Sequence, residues 1–255
     1  MWTKRNFVLS MALNVLQGGF LFVVVFYVPM FYQIVRGLSA TNAGLFLLPT
    51  VGAAAISTIV SGILVSRTGR YRLVTMAGMV LGTVGVGLLV LWHKDTPTAL
   101  QIVFPLIAGL GFGLTIQTTV TTAQSQLALD DLAVGTAAAN FFRTVGGVFG
   151  LGIMQSIFNN VVTRELINLP FGDVLVDLAK KGLVAIEILE PESQQVIIES
   201  YFKALHTVYI ATVPFCGAAV LVAMFLREVP LSSQRKHEPM AGGNSGECEE
   251  EKHSA

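Results

Sequence analysis

Arg143 lies in an apolar run, Gly135 to Val161, that holds no other charged residue; Phe141-Phe142 precede it and Thr144-Val145-Gly146-Gly147 follow. A guanidinium at the centre of a membrane helix costs about 2.5–3.5 kcal/mol on insertion scales, so such a residue is normally kept for a partner. Two roles fit it. It pairs with an anionic or polar group on a cavity wall or with gating helix-end carbonyls, or its long stem carries the charge to the interface. Neutral polar residues make a second set: Asn14 and Gln17, then Gln117 with Thr118 and Thr119, then Asn140 and Gln155. An amide without a partner is expensive among hydrocarbon, so each must face another helix or a watery path. Asn14 and Gln17 are three apart and share a helix face, which makes them the pair best suited to a substrate cavity. Bonding between helices is the plainer use of the whole set.

Other chemistries find no residues to carry them. There is no His-Glu-x-x-His pair, no acid pair within an apolar run and no nucleophile beside a base, so no enzyme, cofactor or metal site is expected. Cys216 sits in an apolar run and Cys248 in a polar tail, a pairing that suits inert thiols better than a disulfide. Gly109-x-Gly111-x-Gly113 is not a nucleotide fingerprint, because no strand precedes it. With 16 basic and 16 acidic residues and no basic stripe, nothing points to nucleic acid.

The elements that position these residues are membrane helices. Hydrophobic residues make up 53% of the 255-residue chain and charged ones 13%, against about a quarter in soluble domains. Mean hydropathy is +0.67. A spanning helix needs about 20 mainly apolar residues. Six stretches qualify: Phe7 to Tyr32, Ala43 to Val65, Leu73 to Trp92, Leu100 to Thr121, Gly135 to Val161 and Val208 to Leu226. Lys4-Arg5 before the first run resemble a signal peptide, but the run is too long for one and no cleavage pattern follows. Residues 162–207 read as a long polar loop. Within it Val196-Ile197-Ile198 and Tyr201-Phe202, beside Glu199 and Lys203, suggest an amphipathic helix lying at the interface. The tail, 231–255, is polar and reads as disordered.

Lys4, Arg5, Arg67, Arg70, Arg72, Arg227, Arg235 and Lys236 fall on one side of this scheme. Arg36, Lys94, Arg164, Lys180, Lys181 and Lys203 fall on the other. The tight cluster Arg67 to Arg72 weighs most, so both termini are expected in the cytoplasm and the long loop outside.

That cluster belongs to Gly62-Ile63-Leu64-Val65-Ser66-Arg67-Thr68-Gly69-Arg70-Tyr71-Arg72. Its spacing resembles the short cytoplasmic loop motif of the major facilitator superfamily, in which Gly62, Arg67, Gly69 and Arg70 would form the conformational loop between the second and third helices of a half. Ser66 stands where the first-half copy usually has aspartate, a departure typical of the second half. Pro29 to Ala40 with Ala43-Gly44-Leu45 and Leu47-Leu48-Pro49 resemble the end of the family's seventh helix and the start of its eighth. Gly109, Gly111 and Gly113 with Gln117 resemble the tenth. Gly135-Thr136-Ala137, Phe141 to Gly147 and Gly150 resemble the eleventh.

The resemblance is to fourteen-span drug:proton antiporters of the fungal toxin and multidrug efflux type, over roughly Phe7 to Leu226. It implies an all-α membrane protein: six helices in residues 1–230 forming the carboxy-terminal half of the fold, plus the amphipathic extracellular segment. It further implies export of small apolar drugs, toxins or secondary metabolites from the plasma membrane, with protons handled by an amino-terminal half supplied elsewhere and membrane lipid around both. Asn14, Gln17, Gln117, Asn140 and Arg143 would line the cavity. Gly109, Gly111, Gly113, Gly146, Gly147 and Gly150 would let helices approach closely. The alternative is a remnant that does not transport, or a half that binds only a partner.

Overall fold

A computed structural model describes residues 5–93, 96–125, 127, 129–167 and 191–226. Among them run six long helices: α1 Arg5–Ile34, α2 Ala40–Thr68, α3 Tyr71–Leu89, α4 Thr98–Gln124, α5 Leu132–Ile167 and α6 Pro191–Met224. A short 3₁₀ turn, Leu129–Asp131, leads into α5. All six helices are long and apolar enough to cross a membrane.

The six spans appear in the expected order, but two helices run well past them. α5 continues to Ile167, and α6 starts at Pro191 rather than near Val208. Residues 191–207 are thus the first turns of the sixth helix, continuous with its span. Their apolar positions Ile197, Tyr201, Ala204 and Leu205 recur at helical spacing and are buried against the bundle, which holds the segment in line with the span. Lengthening the two helices also brings Glu165 and Lys203 into them, 2.7 Å apart as an ion pair between α5 and α6. Residues 168–190 and the tail read as disordered lie outside the described residues.

Local signals in the sequence set the helix ends. Ser39, with extended ψ of 155°, accepts from the Asn42 N–H and caps α2. α2 stops at Gly69, whose φ of 68° is left-handed and whose N–H bonds Val65 O at 2.8 Å. That conformation suits glycine, which explains the glycine of the arginine-rich turn. Arg72 Nη2 donates to Met224 O at 3.0 Å and Arg5 Nη2 to Phe225 O at 3.4 Å. Two guanidiniums therefore satisfy carbonyls at the end of α6, where cations also suit the helix dipole.

α1 touches α2, α4, α5 and α6; α4 packs against both α2 and α3, and α6 lies across α1, α3 and α5. Where two helices meet most closely, glycine makes it possible. A Cβ on Gly146 would overlap the Val15 carbonyl of α1, and one on Gly150 would overlap Gly19. On α4, Gly109 and Gly113 face Thr50 and Ala54 of α2, whereas Gly111 faces Gly82 of α3. Residues two apart point to nearly opposite sides of a helix, so the alternate glycines let α4 be approached from two directions.

The end of the bundle that holds the α2–α3 connection is called the arginine-turn end below. The opposite end is walled by aromatic side chains and is called the aromatic end.

Candidate functional site

Toward the arginine-turn end, α1, α4 and α5 bring together a hydrogen-bonded cluster. Asn14 and Gln17, three residues apart on α1, are each 0% exposed. Gln17 Nε2 donates to Thr115 Oγ1 at 2.5 Å, and Thr115 Oγ1 donates in turn to Phe112 O at 2.8 Å. Thr119, one turn along α4, donates to Thr115 O at 2.9 Å and lies 3.3 Å from Asn14 Oδ1. Asn14 Nδ2 is committed to Ser10 O at 2.8 Å, which turns its oxygen outward from α1.

Arg143 reaches in from α5 to meet that oxygen. Its Nη2 donates to Asn14 Oδ1 at 2.8 Å and lies 3.4 Å from Thr119 Oγ1 and 3.5 Å from Ile116 O. Nη1 makes a longer contact, 3.4 Å, with Asn140 Oδ1 at the exposed edge. Nε is buried without a partner. Every group that meets this cation among the described residues is a neutral oxygen. Such an arrangement leaves the charge solvated by dipoles but not paired.

An apolar crevice of about 290 Å³ opens beside the cluster between α1, α2 and α4. Leu21 and Val24 form its α1 wall, Thr50, Ala54 and Ala55 its α2 wall, and Gly109, Phe112 and Ile116 its α4 wall. Asn14, Gln17, Leu21 and Val24 follow one another at helical spacing, so the polar pair and the apolar wall form one stripe of α1. Phe112 and Ile116 join the two parts on α4: their side chains line the crevice and their carbonyls lie within reach of Gln17 and Arg143. The product is an apolar crevice, with Thr50 and Thr58 as its polar lining residues, next to a hydrogen-bonded polar cluster; apolar walls with a few polar groups are the usual make-up of a small-molecule site.

The residues singled out by sequence divide accordingly. Asn14, Gln17 and Arg143 meet, with Asn140 at the edge. Gln117 does not join them. It is exposed and lies on the α2 side of α4, with its Cγ beside Gly62. Gln155 accepts from Tyr27 at 3.1 Å, farther toward the aromatic end. Arg67 and Arg70 are exposed at the α2–α3 turn. Thr115 and the carbonyls of Phe112 and Ile116 were not anticipated. The signal for Thr115 was available, since 115 and 119 share a helix face while 117 lies opposite.

The sequence profile of the Major Facilitator Superfamily matches residues 1–151. An MFS-type transporter of Pestalotiopsis microspora is 31% identical over 82% of the chain and 38% of its own length. Citrate exporter 1 of Yarrowia lipolytica is 31% identical over 92% of the chain and 35% of its own length. An MFS-type efflux pump of Trichophyton rubrum is 32% identical over 76% and 37% respectively. The chain thus spans a little over a third of the length of these three curated relatives, between 35% and 38%.

Proposed function

Since the chain belongs to the major facilitator superfamily, a family of transporters and not of enzymes, we propose that it is the carboxy-terminal six-helix half of an efflux transporter. The cargo is a small, largely apolar organic compound such as a drug, toxin or secondary metabolite, exported across the plasma membrane in exchange for protons. The observation that carries this reading is the apolar crevice between α1, α2 and α4, which Phe112 and Ile116 join to the neighbouring polar cluster of Gln17, Asn14 and Arg143. In this fold two helical bundles rock about a site near the midplane, so one bundle supplies one wall of the cavity. Outward transport is the direction named for the exporter and the efflux pump among the relatives.

Proton exchange falls to a second half. α1 to α4 contain no Asp or Glu, and the acids of α5 and α6 (Glu165, Glu192, Glu199) all lie in the turns nearest the aromatic end. A carboxylate that takes up and releases protons at membrane depth must then come from the partner bundle. Both termini and the arginine turn face the cytoplasm in this reading, because the turn concentrates Arg67, Arg70 and Arg72. Cysteines placed at Ser66 and Ser193 test it: a membrane-impermeant reagent applied to intact cells should label the second and spare the first.

The transport test uses proteoliposomes that hold this chain together with the amino-terminal helices of an MFS-type efflux pump, a fluorescent apolar dye and an imposed pH gradient. Dye movement should require both parts and the gradient. Correctly inserted pairs that give no gradient-dependent flux would refute the reading, as would proton-driven flux by this chain alone.

A further inference from the structure

Resting on that transport reading, we propose that the crevice takes an amphipathic organic anion, with its carboxylate at Arg143 and its apolar body along Leu21, Val24, Thr50 and Phe112. Among the described residues the cluster holds a cation and no anion. All the contacts of Arg143 among the described residues are to amide, hydroxyl or carbonyl oxygens. Its donors are not used up. The guanidinium offers five N–H groups; Nη2 is engaged, Nη1 has only the 3.4 Å contact with Asn140, and Nε is buried with nothing to donate to. A carboxylate arriving at the exposed edge would meet the under-used Nη1 and an unpaired charge, and charge-assisted bonds of this kind are the strong ones.

The neighbouring groups fix both the charge and the shape of the ligand. Among the described residues no second Arg or Lys joins the cluster, so it suits one negative charge better than a phosphate dianion. A cationic compound would meet Arg143 with no acid on the crevice walls to offset the repulsion. From Asn14 to Leu21 the stripe of α1 rises about 10 Å at 1.5 Å per residue. A ligand therefore needs its carboxylate at one end and its apolar bulk roughly that far away. Ala54, Ala55 and Gly109 keep the α2 and α4 walls low enough to admit it.

A carboxylate for Arg143 has two sources: a free organic acid, or an acidic side chain of the second helical half. Calorimetry on the purified chain in detergent micelles, with 4-butylbenzoate and its neutral isostere 4-butylbenzamide, tests the first and exposes the second. The benzoate should bind at least tenfold more tightly than the amide. Arg143→Gln should abolish that difference, Arg143→Lys should keep part of it, and Ala55→Phe, which fills the crevice, should weaken both probes. Melting temperatures should stay near that of the native chain. Equal binding of acid and amide, or benzoate binding unaffected by Arg143→Gln, overturns the anion and leaves the transport reading standing. Failure of both probes to bind in an Ala55→Phe-sensitive way counts against both. Benzoate binding by the chain alone that vanishes once the amino-terminal helices are added assigns the carboxylate to that half and overturns the ligand.

Discussion

The two ends of the bundle are held by different chemistry. At the aromatic end Phe31 stacks on Trp92 with centroids 4.3 Å apart, Tyr32 stacks on Phe46 at 4.7 Å, and Tyr209 meets the edge of Trp92 at 5.8 Å. Three polar side chains there close on backbone carbonyls of neighbouring segments: Tyr32 donates to Gln101 O at 3.0 Å, Arg36 to Thr96 O at 2.9 Å and His206 Nε2 to Val90 O at 2.9 Å. Arg36 thus ends on a carbonyl near the helix ends. Arg143, toward the other end, sits between three helices with a donor to spare. The lesson is one of division. Broad ring contacts join α1, α2 and α6 with Trp92 just past the end of α3, whereas the arginine cluster is held by hydrogen bonds and, in the reading proposed above, keeps its capacity for a ligand.

The sharpest break of that division is expected at the α1–α5 contact, on which both ends depend. Gly146→Leu would drive a side chain into the Val15 carbonyl. Backbone cannot yield as a flexible side chain can, so the variant should fail to give monodisperse protein by size-exclusion chromatography. Next in size is Trp92→Ala, which removes a ring 1% exposed that stacks on Phe31 and meets Tyr32 and Tyr209 edge-on. Truncations of this kind cost roughly 3–5 kcal/mol, and a lowered melting temperature should report it. Trp92→Phe sharpens the point. Its indole N–H is buried with no partner, so removing the donor while keeping a ring should cost less than about 1.5 kcal/mol.

The smallest effects should separate two glutamines that look alike in sequence. Gln17→Leu removes the link from α1 to Thr115 and should reduce transport by the reconstituted pair several-fold. Gln117→Leu, on the exposed α2 side of α4, should leave both transport and melting near native. Equal loss of transport in the two variants would mean that the cluster has been drawn in the wrong place.

Much of this was legible in the chain. The six apolar runs are so long that helix number and order follow from length alone, and Ser39 and Gly69 are residues whose types mark helix ends. The start of α6 was hidden because residues 191–207 mix Glu199 and Lys203 with apolar positions. Such a pattern suits a helix on a membrane surface as well as one extending a span, and only burial of Ile197 and Leu205 against neighbouring helices decides it. The site was half legible. Asn14, Gln17 and Arg143 stand out because polar groups in apolar runs need partners. Which partner each finds depends on how the helices are rotated, and that is set by close approaches such as Gly146 on Val15 and Gly113 on Ala54, which no single run displays. Gln117 was grouped with the others for its residue type although its helical phase sets it apart from Thr115 and Thr119.

The central claim is that Arg143 serves a ligand and not the fold. It is tested most directly by Arg143→Lys measured in two ways on the same preparation: melting temperature of the purified chain, and export by the reconstituted pair at matched protein density. Lysine keeps the charge but loses the planar fork that reaches Asn14, Thr119 and a ligand together. The account predicts melting within a few degrees of native and export reduced at least tenfold. Near-native export by Arg143→Lys would contradict it and leave Arg143 a side chain that merely places its charge.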